Sequence, residues 1–262
     1  MDEKKISAGS MMIALIALML SQLKPIYQYF ESPNFELELA PYIQVGQNLG
    51  NTILMPFLQL KNSGSELGYV RNVEFFLENI DNSSLVKKIP AQQYYLTPSS
   101  VSIDQVPSRL PFGDLSIAEG ESWEAYVEIF EQLSPDTLQE FTAIRAAVAR
   151  EVTAEDGSVI SDELYERIRS FVSSNMSWFK EGRYRILVLL WEDDQKDPII
   201  KQGYKFAVKE EDIDLLNSVT ERFRYGEFIV KAPKSQNGFY AKLTRIDGSE
   251  EINELYRRYL EL

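Results

Sequence analysis

The sequence contains no cysteine and no histidine in 262 residues. Without cysteine there is no disulfide and no thiolate nucleophile. Without histidine there is no zinc or haem site of the usual kind and no Ser–His or Cys–His catalytic pair. Lack of cysteine leaves an oxidising compartment open, because a domain of this size holds together without staples, but it argues against a small disulfide-rich module. A phosphate-binding glycine loop, a dinucleotide fingerprint and a G-x-S-x-G elbow are missing too. Positive charge is scarce: 27 Lys and Arg stand against 40 Asp and Glu, for a net charge of −13. Such a surface repels phosphate backbones, so no nucleic-acid partner is expected, and the same acidity keeps a domain in solution. No cofactor is implied.

What is present begins with Ile6 to Leu23, 18 consecutive positions without a charge. As a helix the run would span roughly 27 Å, close to the hydrocarbon thickness of a bilayer. A cleaved signal peptide is the competing reading, since Lys4 and Lys5 supply its charged start. However, no small-x-small pair follows the apolar stretch. A buried helix without membrane contact fits less well, because the run is apolar all round. The expectation is therefore an uncleaved anchor, carried by Met11, Met12, Ile13, Leu15, Ile16, Leu18, Met19 and Leu20. Tyr27, Tyr29 and Phe30 follow it as an interfacial belt. Lys4 and Lys5 before the run, against Lys24 alone after it, place the N-terminus inside and the rest in the periplasm or outside the cell.

Beyond the anchor the pattern is mainly β. Phe35, Leu37 and Leu39 alternate with Glu36 and Glu38. Ile53 to Lys61 (ILMPFLQLK) ends at the turn Asn62-Ser63-Gly64, and Pro56, lacking an N–H, calls for an edge, a bulge or a strand start. Tyr69 to Glu78 alternates again, and short strands are read near Val86–Ile89 and Val101–Val106. Further strands follow at Ser122 to Phe130, at Arg183 to Glu192, which is the most hydrophobic segment after the anchor and so a central strand, and at Gln202 to Val208. Between them Ser134-Pro135-Asp136 opens a helix whose Leu138, Phe141, Ile144, Val148 and Val152 recur at spacings of three and four. A second helix from about Ser161 carries Leu164, Ile168, Val172 and Met176. The C-terminal stretch adds an acidic helix (Glu210 to Phe223), a hairpin of Glu227 to Lys231 with Phe239 to Arg245 around Asn237-Gly238, and a final helix, Glu250 to Leu260.

These readings assemble into a short tip (1–5), a transmembrane anchor (6–23), a juxtamembrane linker (24–33), an immunoglobulin-like antiparallel β-sandwich (34–208) interrupted by an αα-hairpin (134–178), and a small α+β appendage (209–262). Three segments resemble a loosely defined class of uncharacterised bacterial single-pass membrane proteins with an immunoglobulin-like sandwich outside the cytoplasm. They are Ser32-Pro33-Asn34-Phe35, Phe57-Leu58-Gln59-Leu60-Lys61-Asn62-Ser63-Gly64 and Gly182-Arg183-Tyr184-Arg185. The resemblance covers roughly 30–80 and 119–208, transfers no catalytic residue, and does not extend to the helical insertion or to 209–262.

Several side-chain groups qualify as candidate sites. Glu192, Asp193, Asp194 and Asp197 crowd one turn and offer hard oxygen ligands to Ca²⁺, although an ordinary solvated turn is the favoured reading and the EF-hand register is absent. Tyr94, Tyr95, Trp123 and Trp178 form either a sugar or peptide platform or simply core. A pair of Asp or Glu carboxyls in a cleft would allow glycoside hydrolysis. The sequence favours a membrane-anchored, non-enzymatic interaction protein, an accessory subunit of an envelope complex. Its partners would be lipid, through the N-terminal helix, and another protein. A membrane-tethered Asp/Glu hydrolase and a cytoplasm-facing scaffold of inverted topology are the alternatives.

Overall fold

Alternation of apolar and polar residues builds most of the molecule. The computed structural model describes residues 32–96, 109–152, 158–175, 179–192, 195–230 and 238–262, together with Ile13. The chain is predominantly β. Its first hairpin joins β1 (Phe35–Asn48) to β2 (Asn51–Asn62). Leu37, Ile43 and Val45 of β1 and Leu54, Leu58 and Leu60 of β2 are buried at alternate positions, as one-sided burial in a sheet requires. The register shifts between Leu39 and Ile43, and Pro56 lies opposite Ile43 beside that irregularity, where a missing N–H is tolerated. The tight turn Leu49-Gly50 has positive φ at both residues, and a side chain at Gly50 would press into the Val172 backbone of a helix described below.

The remaining strands are β3 (Gly68–Val70), β4 (Asn72–Asn79), β5 (Val86–Leu96), β6 (Arg109–Pro111), β7 (Leu115–Ile117), β8 (Ser122–Phe130), β9 (Gly182–Trp191), β10 (Ile200–Val208), β11 (Phe239–Lys242) and β12 (Thr244–Arg245). The stretch read as one strand from Tyr69 to Glu78 is thus two, broken where the Arg71 N–H donates to the Trp191 carbonyl. Glu227–Val230, read as a strand, is mostly turn. The proposed strand at 101–106 lies outside the described residues.

Ten strands form one antiparallel sheet in the order β11-β1-β2-β8-β5-β4-β9-β10-β12, with β6 added on β5. Its two ends, β11 and β12, are consecutive pieces of a single segment. Phe239–Lys242 pairs with β1, and Thr244–Arg245 pairs with β10. The sheet therefore curls into a nearly closed barrel, which corrects the expectation of an immunoglobulin-like sandwich of two sheets. The physical reason is the C-terminal segment: by bridging both edges it covers backbone groups that an open sheet would expose. Residues read as an appendage thus complete the main sheet. Gly238 enters this bridge with φ +128, and a Cβ there would collide with the Val45 carbonyl. Where β1 and β10 face each other without backbone pairing, the Leu39 N–H donates to the Tyr204 hydroxyl at 3.2 Å.

Helices close one end of the barrel. α1 (Pro135–Glu151) begins at Ser134, whose hydroxyl accepts from the Thr137 N–H, with proline in its first turn. α2 (Asp162–Asn175) and α3 (Glu210–Arg222) complete the end, burying Ile168, Val172, Leu216 and Val219 in the core. The Gln47 amide donates to the Leu216 carbonyl at 2.5 Å, tying β1 to α3. The final helix, α4 (Ser249–Glu261), lies against the outside of the barrel.

Among the described residues no helix is long and apolar enough to cross a membrane. The longest, α1, has 17 residues and carries charged side chains such as Arg145 and Arg150 on its exposed face. This corrects the transmembrane anchor of the expected fold and, with it, the single-pass membrane localisation with an exterior domain. Of the anchor residues, Met11, Met12, Leu15, Ile16, Leu18, Met19 and Leu20 lie outside the described residues, as do Tyr27, Tyr29 and Phe30. Ile13 is helical and exposed.

Candidate functional site

The barrel has two walls with apolar outer faces, and they are treated differently. On β4 and β9, Phe76, Leu187 and Leu189 point outward yet are fully buried, because Leu255 and Tyr256 of α4 and Ile246 cover them. A salt-bridge network fixes that cover. Glu78, 1 % exposed, accepts from Arg185 at 2.8 Å and from Arg258 of α4. Glu251 accepts from Lys205 at 2.8 Å and Arg185 at 3.4 Å, and the Lys205 hydrogen bond leads in holding its carboxyl below the usual range. The Tyr259 hydroxyl donates to Glu74 at 2.5 Å, and burial followed by that carboxylate pushes the phenol up.

The opposite wall, β11-β1-β2-β8-β5, carries an apolar row on the outer face of β2, flanked by polar residues such as Gln44, Gln59 and Glu124, with no described helix over that row. Ile53, Met55 and Phe57 of β2 point outward and are half-buried, while Tyr42, Tyr126 and Tyr240 are 53 %, 44 % and 53 % exposed. Pairing makes them neighbours. Gln44 stands opposite both Met55 and Tyr240, Ile53 opposite Phe130, and Phe57 opposite Tyr126, with ring centroids 5.0 Å apart. Next in the row, Tyr95 pairs with Tyr126, donates to Glu128 at 2.6 Å and accepts from Arg109. Burial, then the Glu128 hydrogen bond, raises the Tyr95 phenol above its ordinary value.

Among the described residues the buried carboxylates do not form a pair. Glu78 and Glu128 sit on β4 and β8 with β5 between them, and each is engaged by arginine. Among the described residues no group of three or more potential metal ligands occurs. Asp193 and Asp194 lie outside those residues, Glu192 accepts from Gln195, and Asp197 accepts from Tyr256 of α4 at 3.0 Å. The aromatic platform divides as well. Tyr94 and Trp123 pack inward with Phe112 at centroid distances of 5.4–6.2 Å. Tyr95 faces out, and Trp178 is outside the described residues.

A cavity of about 710 Å³ opens between α2 and α3 beside Phe179 and Lys180. Its carboxylates, Glu166 and Glu221, are both exposed. Glu166 accepts from Arg169 at 3.0 Å. Burial, then the neighbouring Glu221, pushes the Tyr165 phenol up to about 12, and Arg224 stacks over its ring at 4.9 Å. A smaller cavity, about 230 Å³, marks the seam between β1 and β10 around Tyr204.

Sequence reasoning missed the outward row of Tyr42, Phe57, Tyr126 and Tyr240. Its signal is the ILMPF run of β2, apolar at outward as well as inward positions. No family model, no curated protein and no solved structure matches this chain.

Proposed function

We propose that this chain is a non-catalytic binding protein that docks a basic partner protein on the bare wall of β1, β2, β8 and β11. The observation that carries the reading is the apolar outer face of β2. On β9 the same feature is buried by a helix, whereas on β2 Ile53, Met55 and Phe57 lie beside exposed tyrosines with no described cover. Contiguous apolar patches of this kind mark interaction sites, and tyrosine is prominent among residues that carry binding energy. The net charge of −13 favours a partner with a basic rim, drawn in by long-range attraction. Against a hydrolase stand the two buried carboxylates among the described residues, which β5 separates and arginine engages one by one.

A capture experiment with the full chain tests this, comparing the parent with Tyr42→Ser/Phe57→Ser/Tyr126→Ser. The reading requires a basic protein retained by the parent, lost with the triple variant, kept by Lys180→Ala, and weakened as salt rises from low to physiological strength. Retention of the same protein by the triple variant, or indifference to salt, contradicts it.

A further inference from the structure

The cavity between α2 and α3 lies apart from the β2 wall. Its volume, about 710 Å³, falls in the range of small-molecule sites, and Val172, Phe179 and Ile213 give it apolar lining. What distinguishes it is which polar groups are already used. Glu166 is engaged by Arg169, and Glu221 stands against the Tyr165 phenol. Thr220 accepts from the Gln47 amide. By contrast Ser173, Asn217 and Lys180 have no side-chain partner among the described residues, and Lys180 forms no ion pair there. The unused groups are hydrogen-bond donors with one positive charge among them, set beside an apolar surface. The used groups on the same rim are the Glu166–Arg169 ion pair and Glu221.

We infer that this cavity binds a small organic monocarboxylate with an apolar body. The carboxylate would take the Lys180 ammonium and the Asn217 amide, and the hydrocarbon would cover Phe179 and Ile213. A charge-assisted hydrogen bond to Lys180 favours an anion over an alcohol of the same length. Arg169 already compensates Glu166, so Glu221 is the carboxylate left to act against a second negative charge, which favours a carboxylate over a phosphate monoester.

Amide NMR titration of the full chain with hexanoate, hexanol and hexyl phosphate tests this. Hexanoate is expected to give saturable shifts at Ser170, Ser173 and Asn217, with hexanol and hexyl phosphate at least about ten-fold weaker. Lys180→Ala should weaken hexanoate about ten-fold while Lys180→Arg retains it, and both exposed-site variants should keep the parent spectrum elsewhere. No saturable shift with hexanoate, equal or tighter binding of hexanol or hexyl phosphate, or full affinity in Lys180→Ala overturns the inference.

Discussion

β9 and β2 are both strands with apolar residues on each face, and they meet opposite fates. β9 turns Ile186, Val188 and Leu190 into the barrel and Leu187 and Leu189 out, and α4 buries the outward pair completely. β2 turns Leu54, Leu58 and Leu60 inward, and leaves Ile53, Met55 and Phe57 half-buried under no described helix. The covered wall is also fixed electrostatically, through Glu78, Arg185, Arg258, Glu251 and Lys205. The bare wall instead displays tyrosine. One wall spends its outer apolar surface on stability, while the other leaves it available for binding.

That contrast breaks most sharply under substitution. Leu255→Ala removes a fully buried side chain from the covered wall and should cost about 3 kcal/mol in urea unfolding. Phe57→Ser on the bare wall should change stability by less than about 1 kcal/mol, because solvent already reaches the site. Equal costs would erase the distinction between the walls.

A smaller effect comes from acid. The Glu251 carboxyl is held low in the fold, chiefly by its hydrogen bond from Lys205. Its contribution is therefore complete above the unfolded value of about 4.3 and disappears as the pH falls through the lower folded value. Glu251 is partly exposed, so the contribution is screened to about 0.5 kcal/mol. Urea midpoints of the parent and Glu251→Gln should differ at pH 6 and converge toward pH 3.

Much of the strand and helix content was legible in the sequence, for definite reasons. Ser134-Pro135 sets the start of α1, and spacings of three and four set its buried Ile144 and Val148. The hydrophobicity of Arg183 to Glu192 follows from burial on both faces of β9. The barrel was not legible, because closure depends on Phe239–Arg245 reaching two strands, β1 and β10, far away in sequence. No local pattern encodes that pairing. Leu138, placed on the apolar face of α1 by its spacing, is 51 % exposed, since the neighbouring elements do not extend over the helix start. For the candidate site, periodicity reported how apolar β2 is but not whether a helix lies over it. In the acidic turn, composition does not reveal that Asp197 is bonded to Tyr256.

Among the described residues solvent reaches the outer face of β2, whereas that of β9 is closed. Hydroxyl-radical footprinting of the full chain, read by mass spectrometry, tests this residue by residue. The account predicts rapid labelling at Tyr42, Met55, Tyr126 and Tyr240, and protection at Phe76, Leu187 and Leu189. Protection of the tyrosine row in the isolated chain, to the level of Phe76, would contradict it.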